Sequence, residues 1–103
     1  MNDVIIRGTT PTFKYTFKQI NPAQLVSAYL TIMCRDRVMI EKDLSTATVG
    51  DKFLSWKLSQ DETLSLFGHD AFSQLNWKLP DGTRGASLQA KLTVANNEKE
   101  VVI

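Results

Sequence analysis

The chain has 103 residues, 43% hydrophobic and 22% charged, with twelve Lys and Arg against eleven Asp and Glu for a formal net charge of +1. That size supports one domain with one core, and the composition is that of a globular protein rather than a disordered one. With no basic excess, binding driven by phosphate neutralisation has little to recommend it, so no nucleic-acid partner is expected. The longest mostly apolar run, Ala28–Cys34, is seven residues and is interrupted by Thr31. A membrane-spanning helix needs roughly twenty, so no membrane partner is expected. The opening MNDVIIRG lacks the basic start and apolar stretch of a secretion signal. A single cysteine, Cys34, leaves no intramolecular disulfide and points to folding in a reducing cytoplasm.

Taken in chain order, the dominant period is two. Val4–Ile6 predicts a short strand, followed by the bend Arg7-Gly8-Thr9-Thr10-Pro11. Phe13, Tyr15 and Phe17 then alternate with Thr12, Lys14, Thr16 and Lys18, the pattern of a half-buried strand. Asn21-Pro22 breaks the chain. Val26, Ala28, Leu30, Ile32 and Cys34 form the next face, Arg35-Asp36 a tight hairpin, and Val38 with Ile40 the return strand. Val49-Gly50-Asp51 ends a segment before Leu54, Trp56 and Leu58. Ser59-Gln60-Asp61-Glu62 has the S-x-x-E spacing of a capping box. It predicts a short helical segment over 60–67, closed by Gly68, that crosses between sheets.

Leu75, Trp77 and Leu79 resume the alternation, with Gln74, Asn76 and Lys78 facing away. Pro80-Asp81-Gly82-Thr83 is the most sharply specified turn, because proline presets φ and glycine accepts positive φ. It leads into the longest alternating run, Ala86, Leu88, Ala90, Leu92 and Val94, and Val101–Ile103 predicts a last strand. Seven or eight short strands with one helical crossover predict a single all-β domain over 1–103, an immunoglobulin-like antiparallel sandwich.

Few residues suggest chemistry. His69 is the only histidine, so a zinc site lacks the ligands it needs. Asp61, Glu62 and Asp70 show none of the spacing of a calcium loop. Cys34 is in phase with Leu30 and Ile32, which makes it an inward, inert thiol; a Cys34–His69 dyad would need the cysteine exposed and electropositive. No nucleophile elbow, phosphate loop or dinucleotide fingerprint occurs. No catalytic residue and no cofactor are expected. Trp56 and Trp77 each lie in phase with leucines, which favours the core, while a sugar-stacking platform is the competing reading. The hairpin tip is the candidate contact site: Asp81 and Thr83 shape it, and Arg84 presents a guanidinium suited to interfaces.

Four stretches carry a resemblance: IIRGTTPTFKYTF, AYLTIMCRDRVMIEKDLSTATV, LSWKLSQDETLSL and QLNWKLPDGTRGAS. In this order and at these distances the chain resembles small proteins encoded among the tail and baseplate genes of phages and prophages of Gram-positive bacteria. More loosely, it is similar to the N-terminal β-sandwich of the phage baseplate upper protein. The resemblance implies a non-enzymatic structural protein of the tail or baseplate, expressed in the bacterial cytoplasm from a prophage and carried in the virion. Its partners would be other tail and baseplate proteins, with a homo-oligomer expected by analogy with ring-shaped tail parts. A carbohydrate-binding module for host surface sugars is the alternative at such a location. Contacts would run through loops or edge strands, with Val4–Ile6 and Val101–Ile103 as the expected edges.

Overall fold

The computed structural model describes residues 3–67, 71–87 and 89–95. Gly68, His69, Asp70, Leu88 and the expected strand Val101–Ile103 lie outside them. The described residues form two packed sheets. One has the order β1-β9-β7-β3-β4, built from Asp3–Ile6 (β1), Ser27–Cys34 (β3), Arg37–Asp43 (β4), Ala71–Lys78 (β7) and Ala90–Ala95 (β9). Arg84–Ala86 (β8) also pairs with β7. The other sheet has the order β2-β6-β5, from Thr12–Thr16 (β2), Thr48–Gly50 (β5) and Phe53–Lys57 (β6). Among the described residues one α-helix, Gln60–Leu64 (α1), lies between β6 of the smaller sheet and β7 of the larger. This is the all-β sandwich that the alternation predicts. In immunoglobulin lettering β2, β6 and β5 take the places of B, E and D, and β9, β7, β3 and β4 those of G, F, C and C′. The pairings are antiparallel except that of β1 with β9, which is parallel and leaves β1 at a sheet edge.

The core lies where the period-two faces meet. Ala28, Leu30, Ile32 and Cys34 of β3, Leu54 and Trp56 of β6, and Leu75 of β7 are all buried, with Leu58 and Leu92. Phe17 is buried with them, and Phe13 and Tyr15 pack half-buried against the same cluster. The aromatics after the RGTTP bend therefore share the inward face that their alternation predicts.

Of three departures from strict alternation, two come from an extra residue in one strand of a pair. Ile32 pairs with Ile40 but Met33 pairs with Val38, so Met39 is an extra residue in β4. A bulge of this kind shifts the following side chains to the other face. Val38 accordingly turns outward, 55% exposed, while Met39 packs against the core. The long run from Ala86 to Val94 is likewise divided. Asn76 pairs with Ala86 and Ser73 with Ala90, so two residues intervene on one strand and three on the other. The Ser87 hydroxyl accepts the Leu75 N–H at 2.9 Å, and the Ser87 N–H donates to the Leu75 carbonyl at 2.8 Å, which repairs the ladder. Val26, expected inward, precedes β3 and is exposed.

The helix is shorter than the span 60–67. The capping box is present, with the Ser59 hydroxyl accepting the Glu62 N–H and Glu62 accepting the Ser59 N–H at 2.8 Å. The chain leaves the helix at Ser65, after which Leu66 drops into the core and Phe67 stays partly exposed. Glu62 also bridges to Lys42 at 2.7 Å. Burial raises its carboxyl, but the hydrogen bonds from Lys42 and Ser59 and the Lys42 charge outweigh that and hold it below the ordinary value.

Thr63 is the fully buried polar residue of this helix. Its hydroxyl accepts the buried Gly8 N–H at 3.0 Å and donates to the Thr9 carbonyl at 2.8 Å. The Gln60 amide donates to the Gly8 carbonyl and the Arg7 guanidinium to the Leu64 carbonyl. The bend between β1 and β2 is thus a clasp that ties this crossover to α1.

Candidate interaction surface

The β2–β3 connection (17–26) and the β7–β8 hairpin (79–83) meet at one end of the sandwich, because Ser27 pairs with Lys78 and the Val26 N–H donates to the Lys78 carbonyl at 2.9 Å. Asn21 caps a 3₁₀ turn over Pro22–Gln24 and fixes the first of these segments. The hairpin is held more tightly. The Leu79 N–H donates to the Thr83 carbonyl at 2.8 Å, the Gly82 N–H to the Leu79 carbonyl at 3.0 Å, and the Thr83 N–H to Asp81 Oδ1 at 2.8 Å. The bond from Thr83 also lowers the Asp81 carboxyl below its ordinary value. Gly82 has φ +91°, the left-handed region that a side chain resists. Asp81, Thr83 and Arg84 are all exposed on this rigid turn, so the three predicted contact residues sit together.

Beneath the hairpin lies an aromatic cluster. Tyr15 and Phe17 are 5.0 Å apart edge-on, and Trp77 stands nearly perpendicular to Phe17 at 5.4 Å. The two tryptophans part company here. Trp56 is core, 2% exposed, with its indole N–H donated to the Asp43 carbonyl at 2.8 Å. Trp77 is only half-buried, at the edge of the core. Its ring lies against Gly85 on the facing strand, so closely that a Cβ at Gly85 would come within 2.4 Å of Trp77 Cε2. Gly85 leaves the space the indole occupies, and the ring in turn covers a weak point of the strand. Gly85→Ala should therefore displace Trp77 and destabilise the hairpin end by about 1–3 kcal/mol, the usual cost of overpacking. Thermal unfolding with tryptophan emission checks this, and an unchanged melting point would show that the indole does not need that space.

Two shallow hollows flank this end. One, about 400 Å³, is lined by Tyr15, Phe17, Lys18, Gln19, Ile20 and Trp77, among others. The other, about 470 Å³, opens on the outer sheet surface between Tyr29 and Arg84, with Ser27, Asn76 and Lys78. Sequence reasoning passed over Tyr29 and Lys78, because their strand phase marked them only as outward.

The remaining candidates are placed elsewhere. Cys34 is buried in β3, where its Sγ accepts the Phe67 N–H at 3.4 Å. Asp61 and Glu62 lie in the first turn of α1, and Glu62 is engaged by Ser59 and Lys42. His69 and Asp70 lie outside the described residues. Among the described residues no group of three or more His, Cys, Asp or Glu is placed to hold a metal ion. None of their helices is long and apolar enough to cross a membrane. No protein-family model matches this sequence, and no curated protein matches it.

Proposed function

We infer that this chain is a non-enzymatic structural protein of a phage or prophage tail or baseplate, working through protein–protein contacts. The resemblance in sequence supplies the context. The observation that carries the contact role is the hairpin end: a turn locked by three hydrogen bonds holds Asp81, Thr83 and Arg84 in solvent. A pre-ordered loop binds with little loss of conformational entropy, and arginine is a favoured interface residue. Arg84→Ala should weaken capture of proteins from a disassembled tail fraction of the encoding phage about tenfold, with an unchanged melting point. Gly82→Val is the contrasting control, since a β-branched residue at φ +91° strains the turn itself and lowers the melting point. Equal capture by Arg84→Ala and the parent would reduce the tip to a turn.

A second reading, a carbohydrate-binding module, draws on Trp77. The half-buried indole lines both hollows at this end, and an accessible aromatic face is what sugar stacking requires. Titration with host cell-wall oligosaccharides separates the readings. A shift in emission that disappears in Trp77→Phe favours the sugar, whereas silence at saturating oligosaccharide removes it.

A further inference from the structure

On the outer face of the larger sheet two groups of charges flank Tyr29, and Lys91 of β9 stands apart from both, opposite Phe72. Lys78 and Arg84 sit directly opposite each other across β7 and β8. Like charges in that position destabilise a sheet, and among the described residues no carboxylate lies within ion-pair distance of either. They line the 470 Å³ groove, one wall of which is Tyr29, 44% exposed. The other side of Tyr29 opens into a second hollow of about 300 Å³ at the β4 edge, lined also by Glu41, Lys42, Asp43 and Glu62. Three carboxylates less one ammonium leave that hollow two negative charges, against the two positive charges of the groove. Tyr29 stands between them, paired with Asp43 on one flank and Asn76 on the other.

We propose that this face binds a second copy of the chain, in an isologous dimer whose two-fold axis lies in the plane of the face, passes near Tyr29 and is inclined to β3, since Lys78 is level with Ser27 and Glu41 with Thr31. Such an axis lays the acidic hollow of one copy over the basic groove of the other, twice, with the tyrosines at the centre. A two-fold contact needs a self-complementary surface, and opposite charges on either side of one ridge are such a surface. The arrangement gives the Lys78–Arg84 pair a counter-charge that no described residue of its own chain supplies. This goes beyond the assembly reading and does not depend on which tail protein is the partner.

Sedimentation velocity over a concentration series tests it. The parent should dimerise, more weakly as salt is raised. Lys78→Glu and Glu41→Lys should each weaken self-association about tenfold or more, and an equimolar mixture of the two should restore it, because each then meets its complement. Lys78→Glu should keep or raise the melting point, since Glu would face Arg84, so its loss of association is not unfolding. A parent that stays monomeric to about 1 mM, a dimer indifferent to both reversals, or a mixture that fails to recover overturns the proposal. A monomeric parent that still captures tail proteins through the hairpin tip would overturn the dimer alone and leave the assembly reading standing.

Discussion

Trp56→Ala should cost about 3–5 kcal/mol, the range for removing a large aromatic from a packed core. Trp56 is 2% exposed on β6, flanked by the buried Leu54 and Leu58, and its ring meets the facing sheet. Truncation empties that volume and also removes the indole N–H that Asp43 accepts at the end of β4. A domain of this size has only about 5–15 kcal/mol in hand, so the melting point should fall by about 15 °C or more. Trp56→Phe separates the two causes. It keeps most of the packing and loses the hydrogen bond, for a cost near 1 kcal/mol plus a small cavity. Urea unfolding of both variants gives the comparison, and a mild effect for Trp56→Ala would mean that the sheets do not close on this residue.

Thr63→Val should be the second large effect, although the two side chains have nearly the same shape. The substitution leaves the buried Gly8 N–H without its acceptor and the Thr9 carbonyl without its donor. Each such orphan costs about 1–3 kcal/mol. The loss should be local before it is global. Hydrogen exchange at the Gly8 amide should speed up while that of the β3 and β7 ladder is little changed at moderate destabilisation. Thr63→Ser, which keeps the hydroxyl, should recover most of the stability. If Thr63→Val is as stable as the parent and protects Gly8 equally, the bend is held by the remaining bonds from Arg7 and Gln60.

These residues mark how far the sequence could be read. Alternation located the faces of β2, β3 and β6 because burial on one side of a sheet imposes period two directly on residue type. The capping box and the Pro80–Thr83 turn were legible for a similar reason, since each depends on residues a few positions apart. Thr63 was not legible, as its partners Gly8 and Thr9 are more than fifty residues away and nothing local distinguishes a buried threonine from a solvated one. The bulge at Met39 and the register shift between Ala86 and Ala90 were hidden as well. A single inserted residue shows only in the register of the partner strand, so Val38 carried an inward phase that the bulge reversed. At the candidate surface, Asp81, Thr83 and Arg84 were found through turn chemistry. Tyr29, Lys78 and the acidic hollow come together only through strand order.

The most direct measurement is quantitative mass spectrometry of purified phage particles from a host whose phage or prophage encodes this chain, separated into head and tail fractions. A structural tail or baseplate role predicts the chain in the tail fraction, at a fixed whole-number ratio to the other tail proteins in every preparation. Its absence from both the finished particles and the tail-assembly intermediates would contradict that role.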